Sequence, residues 1–278
     1  MPRATNEVSV RALASVSRDE LASILAGPPE RAAAWVAAAA RNGIVDAQTV
    51  YGQYLLDGHG VERDVDEAFV WFRHAARRDH PMAMNMLGRC YEHGWGTAAC
   101  APVAVYWYRL AAEAGLDWGM YNYASALALG HGIECDRAQA LQWFLRAAEL
   151  GHAKSLNFVG SFYEDGWSVD ADADIALDYY RRAAQGGDFR GQFNYARLLA
   201  ERGEIAEALQ WLQRVPHTAT GAFVAKMCAW LAASPVSAFR ALERSLGANA
   251  KANANANASL NMNTQISATP NLTQEPRT

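Results

Sequence analysis

Lysine is nearly missing from this chain: Lys154, Lys226 and Lys251 are the three present in 278 residues. None follows a glycine directly or a serine by three positions, which removes the Walker phosphate loop and the Ser-x-x-Lys nucleophile together. Cysteine is scarce too. The four present, Cys90, Cys100, Cys135 and Cys228, form no Cys-x-x-Cys pair and no regular framework. That usage points to a thiol-reducing compartment, so a cytoplasmic location is expected. No stretch approaches the roughly 18 apolar residues of a membrane span, and the opening MPRATNEVSVRALASV lacks an unbroken apolar core. A chain that is neither membrane-embedded nor exported by that route is expected. Basic excess is absent as well: a net charge of -4 excludes a strongly basic nucleic-acid binder. Strand signals are missing. What is plentiful is apolar surface, 51% of residues, enough for one or two cores.

That apolar content is ordered by a repeat. The pairs Trp71-Phe72, Trp107-Tyr108, Trp143-Phe144 and Tyr179-Tyr180 recur every 36 residues, each followed by Ala75-Ala76, Ala111-Ala112, Ala147-Ala148 or Ala183-Ala184. Gly52, Gly88, Ala124, Gly160 and Ala196 share the period, as do Gly58, Gly94, Gly130 and Gly166. Two independent columns with one period signal a stacked array. Trp35 with Ala39-Ala40 reads as half a repeat upstream, and Ala208-Leu209-Gln210-Trp211 fits downstream after a four-residue shortening.

Each period splits into two helices, A and B. Around Tyr51 and Leu55 apolar residues recur at helical spacing, and Gly52 leaves a bare spot for a close neighbour. Gly58 supplies the left-handed residue that ends helix A. Asp64-x-x-Glu67 is a capping-box pattern that starts helix B, repeated as Asp136-x-x-Gln139. Pro102 sits where a first turn tolerates it, and Gly115, Gly151 and Gly187 end B helices. Such a pair cannot bury its apolar stripe alone, so it must stack on its neighbours. An all-α fold follows, a right-handed α-solenoid of stacked antiparallel helix pairs, with repeats at about 47–82, 83–118, 119–154 and 155–190 and a shortened one at 191–215.

In idealised form the period reads A-x-x-x-x-G-x-x-Y-x-x-G-x-G-V-x-x-D-x-x-x-A-x-x-W-x-x-x-A-A. This resembles the Sel1-like repeat family, relatives of the tetratricopeptide repeats, over about residues 32–215. Thr97 and Cys100 replace the Val and Asp of the second copy, and Ser168 replaces the second Gly of the fourth, so those loops are expected to be less regular. The resemblance implies a bacterial protein-interaction scaffold that assembles complexes in signalling, envelope or stress pathways. It also implies a link to an iron-uptake or iron/2-oxoglutarate hydroxylase locus. The paired cysteines of the secreted, disulfide-rich branch are missing here.

Outside the array, Ser17-x-x-Glu20 predicts a short helix to Ala26, broken by Gly27-Pro28-Pro29. Residues 1–15 are expected to be mobile. Thr218 to Ala233 and Pro235 to Leu246 read as two closing helices, so the helical array with its caps runs over 16–246. From Gly247 to 278 the composition has too little bulky apolar surface to offset ordering entropy, and a disordered tail is expected.

Catalytic patterns fail one by one. Gly58-His59-Gly60 and Gly130-His131-Gly132 lack a third Gly and follow helices, so helix ends explain them. His59, His93 and His131 recur in equivalent loops near Cys100 and Cys135, but stacked loops about 10 Å apart are too distant for ligands of one ion. No metal and no cofactor are expected. Gly166-Trp-Ser168-Val-Asp lacks the closing Gly of a nucleophile elbow.

One set of positions varies while its flanks stay small or apolar. Counting Ala47, Ala83, Gly119, Ser155 and Gly191 as zero, offsets two and six are Thr49/Gln53, Asn85/Arg89, Tyr121/Ser125, Asn157/Ser161 and Phe193/Arg197. They lie one turn apart on one helix face. With Asn122 and Asn194 at offset three, they are expected to form a polar strip with aromatic points along a concave groove that takes a peptide or partner protein. No nucleic acid or membrane partner is expected, and a monomer is the default. Two other readings stay open: a metal-dependent or hydrolytic enzyme using the repeat loops, and a structural protein self-associating through convex Trp95 and Trp167. The face assignment predicts that Trp107→Ala costs about 3–5 kcal/mol and Tyr121→Ala much less.

Overall fold

The computed structural model describes residues 8–248, and every regular element among them is helical. The described residues form two compact units, divided between Gly186 and Gly187.

The first unit opens with α1 (Val10–Ser15), α2 (Arg18–Leu25) and α3 (Pro29–Arg41). Helix α1, capped by Ser9, occupies part of the stretch expected to be mobile, while residues 1–7 lie outside the described residues. Four A–B pairs follow: α4 (Val45–Asp57) with α5 (Val65–Ala76), and α6 (Pro81–His93) with α7 (Ala101–Glu113). They continue as α8 (Asp117–Leu129) with α9 (Arg137–Glu149), and α10 (Ala153–Asp165) with α11 (Ala173–Gln185). Consecutive helices pack on one another throughout, so the fold is an α-solenoid of stacked pairs. Each of these four A helices ends on a left-handed glycine, with φ of 72°, 73°, 68° and 69° at Gly58, Gly94, Gly130 and Gly166. Asp64, Asp136 and Asp172 cap three of the four B helices by accepting from amides two or three residues on, while α7 starts after Cys100 with no side-chain cap. The expected capping box at Asp64 is half made, because Glu67 instead accepts from the Trp71 indole at 3.1 Å. The box at Ser17 and Glu20 is complete.

The aromatic pairs divide their labour in a way the repeat spacing does not predict. The second member is the buried one: Phe72, Tyr108, Phe144 and Tyr180 are at most 3% exposed. Trp71, Trp107 and Trp143 are only half-buried, which corrects the expectation that Trp107 is core. The rings of Phe72, Tyr108 and Tyr180 fill the notches at Gly52, Gly88 and Gly160, where an added Cβ would come within 2.8, 2.6 and 2.7 Å of them. Helix B therefore sits so close to helix A that no side chain fits between.

Stacking between repeats uses a second glycine. A Cβ on Gly60, Gly96 or Gly132 would lie 2.1, 2.5 and 2.5 Å from the backbone of Pro29, Val65 and Ala101, at the start of the preceding B helix. Ser168 takes their place in the fourth copy and keeps the left-handed conformation, φ 60°, so that loop is as regular as the others. The side chain is accommodated because Ser168 is exposed, whereas its glycine counterparts are half-buried.

Repeats alternate in chemistry over two periods. Odd copies carry an edge-on Tyr–Trp contact, Tyr51–Trp71 and Tyr123–Trp143, both at 5.6 Å. Even copies carry a buried tyrosine that donates to a glutamate, Tyr108 to Glu92 at 2.6 Å and Tyr180 to Glu164 at 2.7 Å. Each even A helix is also capped by a histidine, His80 or His152.

The second unit holds α12 (Phe189–Glu201), α13 (Ile205–Arg214), a short 3-10 turn (Val215–His217) and α14 (Gly221–Ala233). Residues 237–248 are helical as well, two residues past the expected end of the closing helix, and 249–278 lie outside the described residues. Helix α13 starts four residues early against the period, yet Tyr195 and Trp211 meet edge-on at 5.7 Å as in the other odd copies. Phe193, Phe223, Trp230 and Phe239 form an aromatic cluster in this unit, with ring centroids 5.4 to 5.6 Å apart, and Phe239 is its buried member.

Candidate functional site

Within the first unit, α6 packs directly on α8, one A helix against the next. That seam decides which positions face outward. Offset two is buried: Thr49, Asn85 and Asn157 are 6%, 3% and 5% exposed, so they form no exposed strip, although Asn85 lines the cleft over this seam. Thr49 Oγ1 lies 3.2 Å from His80 Nδ1, and Asn122 donates from Nδ2 to Asn85 Oδ1 at 2.8 Å. These polar groups bind neighbouring A helices together. Tyr121, also at offset two, is half-buried between Phe144, His152 and Phe158, with centroids at 6.1, 5.1 and 5.9 Å. Its truncation opens a partly filled core, contrary to the small effect expected of a groove residue.

Offset six is half-exposed in every copy, but its hydroxyls turn inward. Ser125 donates to the Tyr121 carbonyl at 2.8 Å, and Ser161 donates to the Asn157 carbonyl at 3.3 Å. Gln53 donates to Asp57 at 2.7 Å. Arg89 is the exception and reaches out over Trp95, 5.0 Å from the ring centroid. In the second unit, Phe193 is half-buried against Phe223, Asn194 is half-buried, and Arg197 pairs with Glu201 at 3.0 Å.

What faces outward instead is offset minus one, which repeat spacing alone did not single out. Asp46, Met82 and Trp118 are exposed and Lys154 half-exposed. These positions lie four residues before offset three and seven before offset six, so they complete one helical stripe. Met82, Arg89, Trp118, Tyr121, Asn122 and Lys154 converge on one cleft of about 390 Å³ over the α6–α8 seam, with Glu92 and His93 at its end. Varied chemistry at offset minus one, Asp, Met, Trp, Lys and Arg in successive copies, was the signal available in the sequence.

Histidine caps support this cleft. His152 is 7% exposed, accepts at Nδ1 from the Ser155 amide at 3.3 Å, and packs edge-on against Trp118 at 4.7 Å. An acceptor at Nδ1 requires the neutral ring with its proton on Nε2. Burial, with a smaller push from Lys154, holds the pKa of His152 below its ordinary 6.5, while Asp117 opposes the shift. In the unfolded chain the ring protonates first as pH falls, so this stability is complete above about 6.5 and is lost as pH drops through the folded-state value. Thermal midpoints at pH 8 and pH 5 should therefore differ less in His152→Asn, which retains a capping acceptor without titrating, than in the wild type.

The loop histidines and cysteines do not assemble. Cys90 is fully buried and its thiol is pushed up to about 12 by that burial, which unsuits Cys90-x-x-His93 as a ligand pair. His59 packs on Tyr54 at 4.8 Å and His93 on Trp95 at 4.6 Å. Among the described residues no three His, Cys, Asp or Glu side chains come close enough to hold a metal. Trp95 and Trp167 are engaged by their own chain, under Arg89 and Arg137. No helix among the described residues is long and apolar enough to cross a membrane.

Among known proteins, the Sel1 repeat matches residues 45–80, 81–116, 119–152 and 153–188, just over half of the 278 residues. The crystal structure of a Sel1 repeat protein from Oxalobacter formigenes is 26% identical, with a TM-score of 0.72 over 84% of this chain and 99% of its own. The structure of c5321, a protective antigen present in uropathogenic Escherichia coli strains and displaying an SLR fold, is 27% identical with a TM-score of 0.64 over 81% of this chain. The present chain spans 50% of that antigen's length. No curated protein sequence matches.

Proposed function

Because the chain belongs to the Sel1 repeat family, we propose that it is a protein-interaction scaffold that binds a peptide or partner protein on the A-helix side of its first unit. The observation that carries this reading is the α6–α8 cleft, where exposed Trp118 and Met82 stand beside Arg89, Asn122 and Lys154. An aromatic anchor ringed by polar groups is the usual composition of a binding hot spot. The Sel1 repeat fold is typically non-catalytic, which agrees with this use. A cytoplasmic location fits the four unpaired cysteines. The iron/2-oxoglutarate hydroxylase partner rests on family resemblance, and no residue of the cleft selects for it.

Affinity capture from the native host tests the scaffold reading, with the wild type compared to Met82→Ala/Arg89→Ala/Trp118→Ala. These side chains are exposed or half-exposed, so the variant should keep its circular dichroism and thermal midpoint. A partner retained by the wild type and lost by the variant is the expected result. Equal capture by both proteins puts binding on another surface and overturns the assignment.

A further inference from the structure

Two cations reach the α6–α8 cleft, Arg89 from one side and Lys154 from the other. Both lie against aromatic faces. The Arg89 guanidinium is 5.0 Å from the Trp95 centroid, and it donates to the sulfur of Met86 at 3.8 Å. Lys154 Nζ is 4.8 Å from the Trp118 centroid and 5.9 Å from that of Tyr121. Among the described residues neither has a carboxylate within ion-pair distance. Arg109, Arg181, Arg182 and Arg197, by contrast, pair with acids on their own helices.

An aromatic face positions a cation without neutralising it, so both charges remain available to an incoming anion. The acid at the same cleft is already engaged: Glu92 accepts from Tyr108 at 2.6 Å and lies 3.6 Å from His93. Asn122 gives one N–H to Asn85 and leaves its Oδ1 without a protein partner among the described residues, open to a peptide N–H. Two unpaired cations in a chain of net charge -4 make a short positive site on an acidic molecule. A long polyanion would run past them into repulsion, whereas a segment with one or two carboxylates would not.

We propose that this cleft recognises an acidic, extended segment of a partner protein, its carboxylates meeting Arg89 and Lys154 and a backbone N–H donating to Asn122. The inference rests on the scaffold reading above and gives its partner a chemistry. Charge-assisted hydrogen bonds supply the affinity, and Trp118 with Met82 covers the apolar part of the segment.

The test uses fluorescence anisotropy of the full chain with three labelled hexapeptides, in which alanine alternates with glutamate, glutamine or lysine. The glutamate peptide is expected to bind about tenfold tighter than the glutamine one, and Arg89→Gln or Lys154→Gln to weaken it about tenfold, as loss of one charge-assisted bond does. Added salt weakens it further, and Arg181→Gln, on α11, leaves it unchanged. Equal binding of glutamate and glutamine peptides, no binding of the glutamate peptide, or indifference to both cleft substitutions overturns the proposal. A thymidine hexanucleotide that binds more tightly than the glutamate peptide overturns it in favour of nucleic acid. If the glutamine peptide binds and is lost with Trp118→Ala, the charge inference fails while the scaffold reading stands.

Discussion

Tyr108→Ala is expected to destabilise the protein by about 3–5 kcal/mol, and its neighbour Trp107→Ala by only about 1–2 kcal/mol. Tyr108 is 3% exposed, fills the notch at Gly88 and donates to Glu92, so truncation leaves a cavity and removes that hydrogen bond together. Burial and the bond to Glu92 also raise the phenol pKa well above its usual value, as befits a side chain that donates and stays neutral. Trp107 keeps one side toward solvent and meets Tyr106 edge-on at 5.4 Å, so it loses less contact. Urea denaturation with an unchanged m-value measures both. A larger loss at Trp107 than at Tyr108 would reverse the burial order that the B helices show.

Gly132→Ala is expected to cost about 2–5 kcal/mol, against about 1–2 kcal/mol for Gly130→Ala two residues earlier. Both residues are left-handed, with φ of 74° and 68°, and share the conformational cost of adding a Cβ. Only Gly132 adds a collision, since its Cβ would sit 2.5 Å from the carbonyl carbon of Ala101, backbone that cannot swing aside. At Gly130 the nearest atom is the Cβ of Cys135 at 3.3 Å. Amide exchange at the first turn of α7 should accelerate in Gly132→Ala alone, because that is where the loop rests. Equal losses at both glycines would mean that the loop does not hold the repeats together.

The groove shows where sequence reasoning stops. Tyr121 and Arg89 were found from variation at offsets two and six, Asn122 from its place beside them at offset three, and all three line the cleft. Thr49, Asn85 and Asn157 share offset two with Tyr121 and are buried, Asn85 among the residues that line the cleft, while Trp118, Met82 and Lys154 stood outside the singled-out positions and line it too. Offsets two and minus one are three residues apart, so they differ by only about 60° around the helix. A rotation of that size separates the seam between two A helices from the surface beside it. Polar residues at offset two meet a different neighbour from copy to copy, such as His80 for Thr49 and Asn122 for Asn85.

The amino-acid sequence by itself determined the period, the helix boundaries and the pairing of helices. Those depend on local physics: glycines that stop helices, aspartates that start them, and apolar spacing along a few turns. Only the tertiary structure decided which aromatic of each pair is core, which glycine holds two repeats together, and which stripe of helix A meets solvent. Each of those depends on how closely two helices approach and at what rotation, and a side chain's neighbours across a gap of 36 residues are not written in its own turn of helix.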